Sequence, residues 1–319
     1  MGDEVMRDGV RLTHLDEPLF DDAGVTKREL VDYLDAVAAR MVPVLADRPL
    51  SVVRVRLGQA PFMQKNVPSY APEWIRTVVI PSRAARREVR YALCDDRRTL
   101  LWLANQRAVE YHPQLFRGTA WDRPTHLVLD VDPPEDGGFE AAAAAVRLVR
   151  QVLDDVGMAG ALKTSGAKGV HVFVPLDGSA GVEDVAAATR AVAARAERLD
   201  PALATTAFVR EDRGGKVFLD STRVGGATVA AAYSPRVRPG VPVSFPLGWD
   251  ELDSAAPGQF TVRTALDRLG AGDPWHELMP APRPLDPDLV AEGRTIPVAR
   301  VQAMHEGKRR KRAAARPDG

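Results

Sequence analysis

Hydrophobic positions along this chain change period several times, and each change marks an element. Leu30, Leu34, Val37 and Met41 recur at helical spacing behind the capping-box pair Thr26 and Glu29, with Pro43 as a stop. That pattern predicts a helix over 26–41. From Arg48 to Pro81 the sequence turns to β-branched runs, SVVRV and TVVI, broken by Gly58, Pro61, Pro68 and Pro72. The breaks predict strands with a loop between them, and the loop carries FMQKN. A helix is expected around 100–107, and then Val109 and Tyr111 alternate with Glu110 and His112 in a strand ending at His112 and Pro113. After HLVLDVD, Phe139, Val146, Val149, Leu153 and Val156 form one helical stripe closed by Gly157 at the C-cap. ALKT, SGAKG and VHVFVP read as two strands joined by a glycine-containing turn. An Ala-rich helix over 183–199 and the strand KVFLD, ending at Asp220, come before a Pro- and Gly-richer final hundred residues of short elements.

Strands outnumber clean βαβ repeats, which favours an α+β fold over a doubly wound sheet. No Gly/Ser linker or internal repeat divides the chain. We therefore expect one compact two-lobed unit over 1–299 and a disordered basic tail over 300–319 containing KRRKR, Lys308 to Arg312. With 45% hydrophobic residues in 319, a sizeable core can be filled. Apolar runs are only a few residues long and the N-terminus is acidic, so a membrane span or secretory leader is not expected and a cytoplasmic location is. The lone Cys94 excludes an internal disulfide or a cysteine metal cluster and reads as a core thiol. Net charge is zero, so the whole-molecule field does not argue for a polyanionic partner. Arg outnumbers Lys 36 to 7. The guanidinium fork suits phosphate, although a genome rich in G and C would raise Arg equally.

Candidate chemistry concentrates at strand ends. In HLVLDVD, alternation puts Leu127, Leu129 and Val131 on one face and His126, Val128, Asp130 and Asp132 on the other. Two carboxylates about 7 Å apart resist joint burial unless a cation lies beside them. Either they ligate a hard divalent ion such as Mg²⁺ or Mn²⁺, or they cap a solvated turn into PPEDGG. Pro134 stands where a haloacid-dehalogenase phosphatase needs Thr or Val. A glycosyltransferase DxD fits the motif alone but gives no account of TSGAKGVHVFVP, Thr164 to Pro175. That segment opens on a Ser/Gly-rich turn whose successive N–H groups can hold phosphate oxygens, with Ser165 and Lys168 beside them. Alternation turns His171 and Phe173 away from the valines of the next strand, and Asp220 ends another apolar run. A third carboxylate could complete a two-metal site.

FMQKN, EYHP, LDVDPP, TSGAKGVHVFVPL, FLD with Arg223, and AYSPR occur in this order between Thr26 and Trp275. Together they resemble the polymerase domain of bacterial DNA ligase D, a branch of the archaeo-eukaryotic primase superfamily. The resemblance implies a primase-like fold of two lobes with mixed sheets flanked by helices around a central catalytic cleft. It implies that Asp130, Asp132 and Asp220 hold two catalytic metals, Mn²⁺ or Mg²⁺. It further implies that Ser165, Gly166, Lys168 and His171 hold the nucleotide triphosphate, that His112 meets the sugar side, and that Arg223 and Arg236 complete the cradle. DNA would be met by Phe62 and Met63 stacking on the template, with Lys27 and Lys65 gripping a downstream 5′-phosphate.

The implied reaction is attack of a primer 3′-hydroxyl on the α-phosphate of an NTP or dNTP during gap filling or end joining, favouring ribonucleotides. The implied enzyme is a monomer that meets gapped or broken DNA near the nucleoid, beside a separate ligase and an end-binding protein. Met63 replaces the family's second aromatic, and VGGAT after Arg223 departs from its pattern. No Lys-x-Asp-Gly adenylation motif is present, so a stand-alone polymerase is expected. An end-binding scaffold relying on the basic tail and a primer-initiating primase are the alternatives.

Overall fold

Thr26 caps the first long helix as its spacing predicts: its side chain accepts from Glu29 N–H, and its own N–H donates to Glu29 Oε2. The helix divides, however, into α1 (Lys27–Ala36) and α2 (Ala38–Leu45), and α2 runs through Pro43. Proline removes only its own donor, and the Ala46 N–H still reaches the Val42 carbonyl, so the last turn closes beyond the expected stop. Ahead of these helices, β1 (Val5–Arg7) and β2 (Val10–Leu12) form a hairpin held to α1 by Arg7 on Asp32 and Asp35. In this computed structural model residues 4–82, 87–225 and 228–298 are described, and the tail expected over 300–319 lies outside them.

The first lobe is a five-stranded antiparallel sheet backed by α3 (Arg97–Asn105). It contains β3 (Leu50–Arg56), β4 (Gln59–Gln64), β5 (Thr77–Ser82), β6 (Arg87–Ala92) and β7 (Ala108–Pro113). The order is β4-β3-β6-β5, with β7 along the other side of β3. Phe62 and Met63 were expected in a loop and instead lie on the edge strand β4, opposite Arg54 and Val53. Gly58, at φ +68°, turns the chain tightly enough for Arg56 to face Gln59. Pro61 reads as a breaker but is tolerated on an edge, where its missing donor would have faced no strand.

The second lobe is a six-stranded sheet. Along the chain it supplies β8 (His126–Asp132), α4 (Phe139–Asp155), β9 (Ala161–Thr164), β10 (Val170–Pro175), α5 (Val182–Leu199), β11 (Ala204–Thr205), β12 (Val217–Asp220) and β13 (Pro246–Leu247). Strand order is β11-β12-β8-β10-β9-β13. Leu127, Leu129, Val131, Val170, Val172 and Val174 are at most 1% exposed. They form the face that α4 and α5 cover, and each such side chain contributes roughly 1.5–3 kcal/mol by burial. The alternate face, carrying His126, Asp130, Asp132, His171 and Phe173, looks toward the first lobe.

The short helices α6 (Ala265–Arg268), α7 (Pro274–Leu278) and α8 (Pro287–Thr295) close the chain, α8 packing on α5. One hydrophobic cluster runs through both lobes and includes the buried thiol of Cys94. Across the seam Tyr33 Oη donates to the Tyr233 carbonyl at 2.9 Å, and Ala231 N–H to the Tyr111 carbonyl at 2.9 Å. This α+β architecture of two lobes around a cleft is the one the sequence led us to expect, although only the second sheet is mixed, through its parallel β11–β12 pair. Among the described residues no helix is long and apolar enough to cross a membrane.

Candidate functional site

Register assembles what spacing could not. On one side of Asp130 lies Asp220 of β12, and on the other His171 of β10, each its direct antiparallel partner. Asp132 sits two positions farther along the same edge, opposite Phe218. The three carboxylates thus meet at one rim of the cleft although ninety residues separate the first from the last.

Arg223, three residues beyond Asp220, lies between two of them: one of its nitrogens is 2.7 Å from Asp130 Oδ2 and 3.0 Å from Asp220 Oδ2. Asp220 Oδ1 accepts from the Thr222 N–H and hydroxyl, which fixes its rotamer. Asp130 Oδ1, by contrast, is buried without a hydrogen-bond partner, with His171 Nε2 3.2 Å away and out of line. Burial opposes charge on Asp130, yet the His171 ring and the Arg223 guanidinium outweigh it and hold that carboxyl below the ordinary range. Asp132 goes the other way: burial first, then the Asp130 carboxylate, push it up to about 7.

Among the described residues no group of three or more His, Cys, Asp or Glu is gathered tightly enough to hold a metal ion in this arrangement. Arg223 occupies the centre of the carboxylate cluster as its cation. The donor set nonetheless fits a hard divalent ion, being all carboxylate oxygen, with one buried oxygen of Asp130 unpaired.

The phosphate-type turn adjoins this rim. Ser165 Oγ accepts from the N–H groups of Ala167 and Gly169, so its oxygen shapes the turn while its own proton stays free to donate. Gly166 takes φ +69°, and a β-carbon there would press on Arg236; one at Gly169 would strike the Val131 carbonyl. Both positions need glycine, the first for its left-handed backbone and the second because β8 passes so close. Lys168 is exposed and donates to the Glu135 carbonyl at 2.5 Å. Arg236 donates to the Ser165 carbonyl, with Nε 3.1 Å from Glu110 Oε1.

Across the cleft, β7 presents Glu110 and His112. Burial opposes charge on Glu110, but the His112 hydrogen bond and then Arg236 bring its pKa down to about 2. That carboxylate can only accept, so His112 Nε2, 2.8 Å from Glu110 Oε2, carries the proton. His112 Nδ1 is left as a bare lone pair, buried and unpartnered. Burial lowers the pKa of His112 as well, keeping the ring neutral. Directly opposite on β3, Ser51 Oγ is also buried and unpartnered.

Sequence reasoning named His112 and missed Glu110, which sets its state, and Ser51, which stands opposite it. It also missed Lys163, fully buried, whose Nζ lies 2.6 Å from His171 Nδ1 and 2.6 Å from Ser244 Oγ. The signal was present: ALKT puts a lysine in an apolar strand one residue ahead of the Thr-Ser-Gly turn.

Of the expected DNA contacts, Phe62 and Met63 stand 39% and 45% exposed on β4, with the Arg54 and Arg56 guanidinium carbons 5.7 and 5.8 Å from the Phe62 ring centre. Lys65 is exposed just beyond them. Lys27 is not brought to that surface. It is 2% exposed, and its ammonium donates to the Thr13 carbonyl at 2.6 Å and to Asn105 Oδ1 at 2.8 Å. The same periodicity that aims Leu30 and Leu34 inward carries Lys27 in with them.

Comparison with known proteins bears on this geometry. The family model described as "LigD, primase-polymerase domain" matches residues 26–275. The chain is 32% identical over 265 residues to the bifunctional non-homologous end joining protein LigD of Bacillus subtilis (strain 168), covering 82% of this chain and 42% of that one. With the multifunctional non-homologous end joining DNA repair protein LigD of Mycobacterium tuberculosis (strain ATCC 25618 / H37Rv), identity is 33% over 287 residues, 86% of this chain and 38% of the relative. The chain therefore spans about two fifths of the length of these relatives. Among solved structures, the polymerase domain from Mycobacterium tuberculosis ligase D in complex with DNA superposes with a TM-score of 0.78 at 33% identity, over 84% of this chain and 97% of that one.

Proposed function

We propose that this chain, which belongs to the LigD primase-polymerase domain family, is a template-dependent nucleotidyltransferase that extends a primer 3′-hydroxyl across short gaps or at broken ends of DNA. The observation that carries this reading is the meeting of Asp130, Asp132 and Asp220 with the 165–169 turn at one rim of one cleft.

Asp130, Asp132 and Asp220 would hold divalent metal, as two Mn²⁺ or Mg²⁺ ions, whose chemistry there is to neutralise phosphate charge and acidify a hydroxyl. The chain's own groups supply the rest. The N–H groups of the turn that its internal bonds leave over, the Ser165 hydroxyl, Lys168, Arg236 and His171 line up donors and positive charge for a triphosphate. Arg223 moves its charge from the carboxylates toward the nucleotide. In-line attack of the 3′-hydroxyl on the α-phosphate, with pyrophosphate leaving, then needs positioning and charge compensation and no covalent protein intermediate.

The sugar pocket favours ribonucleotides. A ribose hydroxyl can donate to the bare His112 Nδ1 and accept from Ser51 Oγ, completing two polar groups that are otherwise left buried and unpaired. We expect Ser51→Ala to lower the preference for NTP over dNTP severalfold, about 1 kcal/mol. Competition between the two nucleotides in single-nucleotide addition measures this. An unchanged ratio would remove Ser51 from the sugar contact.

Template stacking on Phe62 is part of the same proposal. Phe62→Ala should weaken binding to gapped DNA by about 1–3 kcal/mol, read by fluorescence anisotropy at fixed salt. The decisive experiment runs labelled nucleotide addition on gapped, recessed and unprimed templates side by side, with a 5′-phosphate at the gap. Template-directed addition to the primed substrates is expected. Addition to none of them would overturn the polymerase reading, and equal product on unprimed template would replace it with priming.

A further inference from the structure

The fully buried amine of Lys163 decides which nitrogen of His171 carries a proton. Its strand β9 places it directly opposite His171 of β10, and Ser244 lies on its other side. Ser244 donates its only hydroxyl proton to the Thr164 carbonyl at 2.6 Å, so toward Lys163 Nζ, also 2.6 Å away, it can only accept. One N–H of Lys163 is therefore committed to Ser244.

For a neutral ring, which burial favours over an imidazolium, the 2.6 Å contact between Lys163 Nζ and His171 Nδ1 has two readings. Either Lys163 donates to a bare Nδ1, or a protonated Nδ1 donates to a neutral amine. The second would turn the bare Nε2 lone pair toward Asp130 Oδ1, 3.2 Å away on a carboxyl group whose other oxygen accepts from Arg223 at 2.7 Å. Two electron-rich atoms at that distance repel, whereas an N–H and a carboxylate oxygen attract. Only the first reading suits both ends of the ring. It holds whether Lys163 is an ammonium or an amine, because either has the two N–H bonds required.

We propose that Lys163 is a positioning residue that locks His171 as the Nε2–H tautomer and so makes it a hydrogen-bond donor into the cleft. This rests on the reading of the cleft as a nucleotidyl-transfer site, where the acceptor is a non-bridging oxygen of the incoming triphosphate. The lock has two exclusions. His171 cannot take the proton of the primer hydroxyl, and it cannot offer Nε2 to a metal. It also gives the cleft a polarity: His171 presents an N–H on one wall and His112 a lone pair on the other, the first held by a lysine and the second by a glutamate.

Heteronuclear NMR on protein labelled with ¹⁵N-histidine tests the tautomer directly in the full chain without nucleotide. At neutral pH His171 should show a protonated Nε2 and a bare Nδ1. Lys163→Met should abolish that pattern and raise KM for the nucleotide about tenfold, the lower end of what losing an orienting hydrogen-bond partner costs. Its affinity for gapped DNA should stay within twofold of wild type. Should Lys163→Met fail to fold, Lys163→Gln keeps a donor without the charge and should retain the wild-type pattern. An Nδ1–H tautomer or an imidazolium in the wild-type protein overturns the proposal, as does a Lys163→Met variant with an unchanged His171 spectrum. A wild-type protein that shows the Nε2–H pattern but adds no nucleotide would leave the lock standing and remove the polymerase reading instead.

Discussion

Asp130→Asn should leave the fold in place and lower primer extension by roughly 10²–10³-fold, the scale of removing a group that organises charge in the transition state. Asparagine matches aspartate in shape and can still fill the space between β12 and β10, where Asp130 is 6% exposed. Arg223 retains Asp220, and Asp132 is relieved of the like charge that helps raise its pKa. Stability should therefore move by no more than about 1–2 kcal/mol. What is lost is the proposed central oxygen ligand, the carboxylate that touches Arg223 on one side and lies beside His171 on the other. Single-turnover addition to a gapped duplex, with the melting temperature as a control for folding, checks this. Activity within tenfold of wild type would show that the cluster is structural.

Arg223→Gln should cost the metal-free protein about 3 kcal/mol, the lower end for breaking a buried charge pair, since Arg223 itself is partly exposed. The sign of its pH dependence comes from Asp130, whose folded pKa is depressed. The stabilisation from Arg223 is full at neutral pH, where that carboxylate is ionised in folded and unfolded chains alike. It fades below the ordinary aspartate value of about 3.9, as the unfolded chain takes up its proton, and is gone once the folded carboxyl protonates too. Chemical denaturation at neutral pH and again below the ordinary aspartate value of about 3.9 should show the two proteins converging as the pH falls. Added Mn²⁺ should raise the melting temperature of Arg223→Gln more than that of wild type, because the variant's carboxylates have lost their resident cation. Equal stability at neutral pH would mean that Arg223 only rests on the cluster.

Most of the strands and helices were legible because burial imposes its period on sequence. HLVLDVD and VHVFVP alternate because one face meets α4 and α5, and the 139–156 stripe ends at Gly157, which takes φ +66°. Two expectations failed where a proline was weighed by its usual effect rather than its surroundings, at Pro43 within α2 and Pro61 on β4. Lys27 was misplaced because residue type says nothing of direction, and Asn105, which receives its ammonium, is 78 residues away. Strand ends announced the aspartates and the turn announced itself. The partners that set protonation, Glu110 for His112 and Lys163 for His171, stayed hidden because their meaning lies in cross-strand register, which one sequence does not display. The gathering of Arg236 onto Gly166 and Glu110 was hidden for the same reason.

The edge strand β4 also governs how the protein behaves when no DNA is bound. It carries an unpaired ladder and two exposed apolar side chains, the combination that invites strand-to-strand association between molecules. Yet the edge cannot be buried without losing the surface proposed to stack on bases. Pro61 interrupts the free ladder, and Arg54, Arg56 and Lys65 flank the apolar pair with like charge, so they serve as gatekeepers against aggregation. Colloidal stability and the proposed template recognition thus meet on one six-residue strand, and salt that screens Arg54 and Arg56 on the neighbouring β3 should promote self-association as it weakens DNA binding.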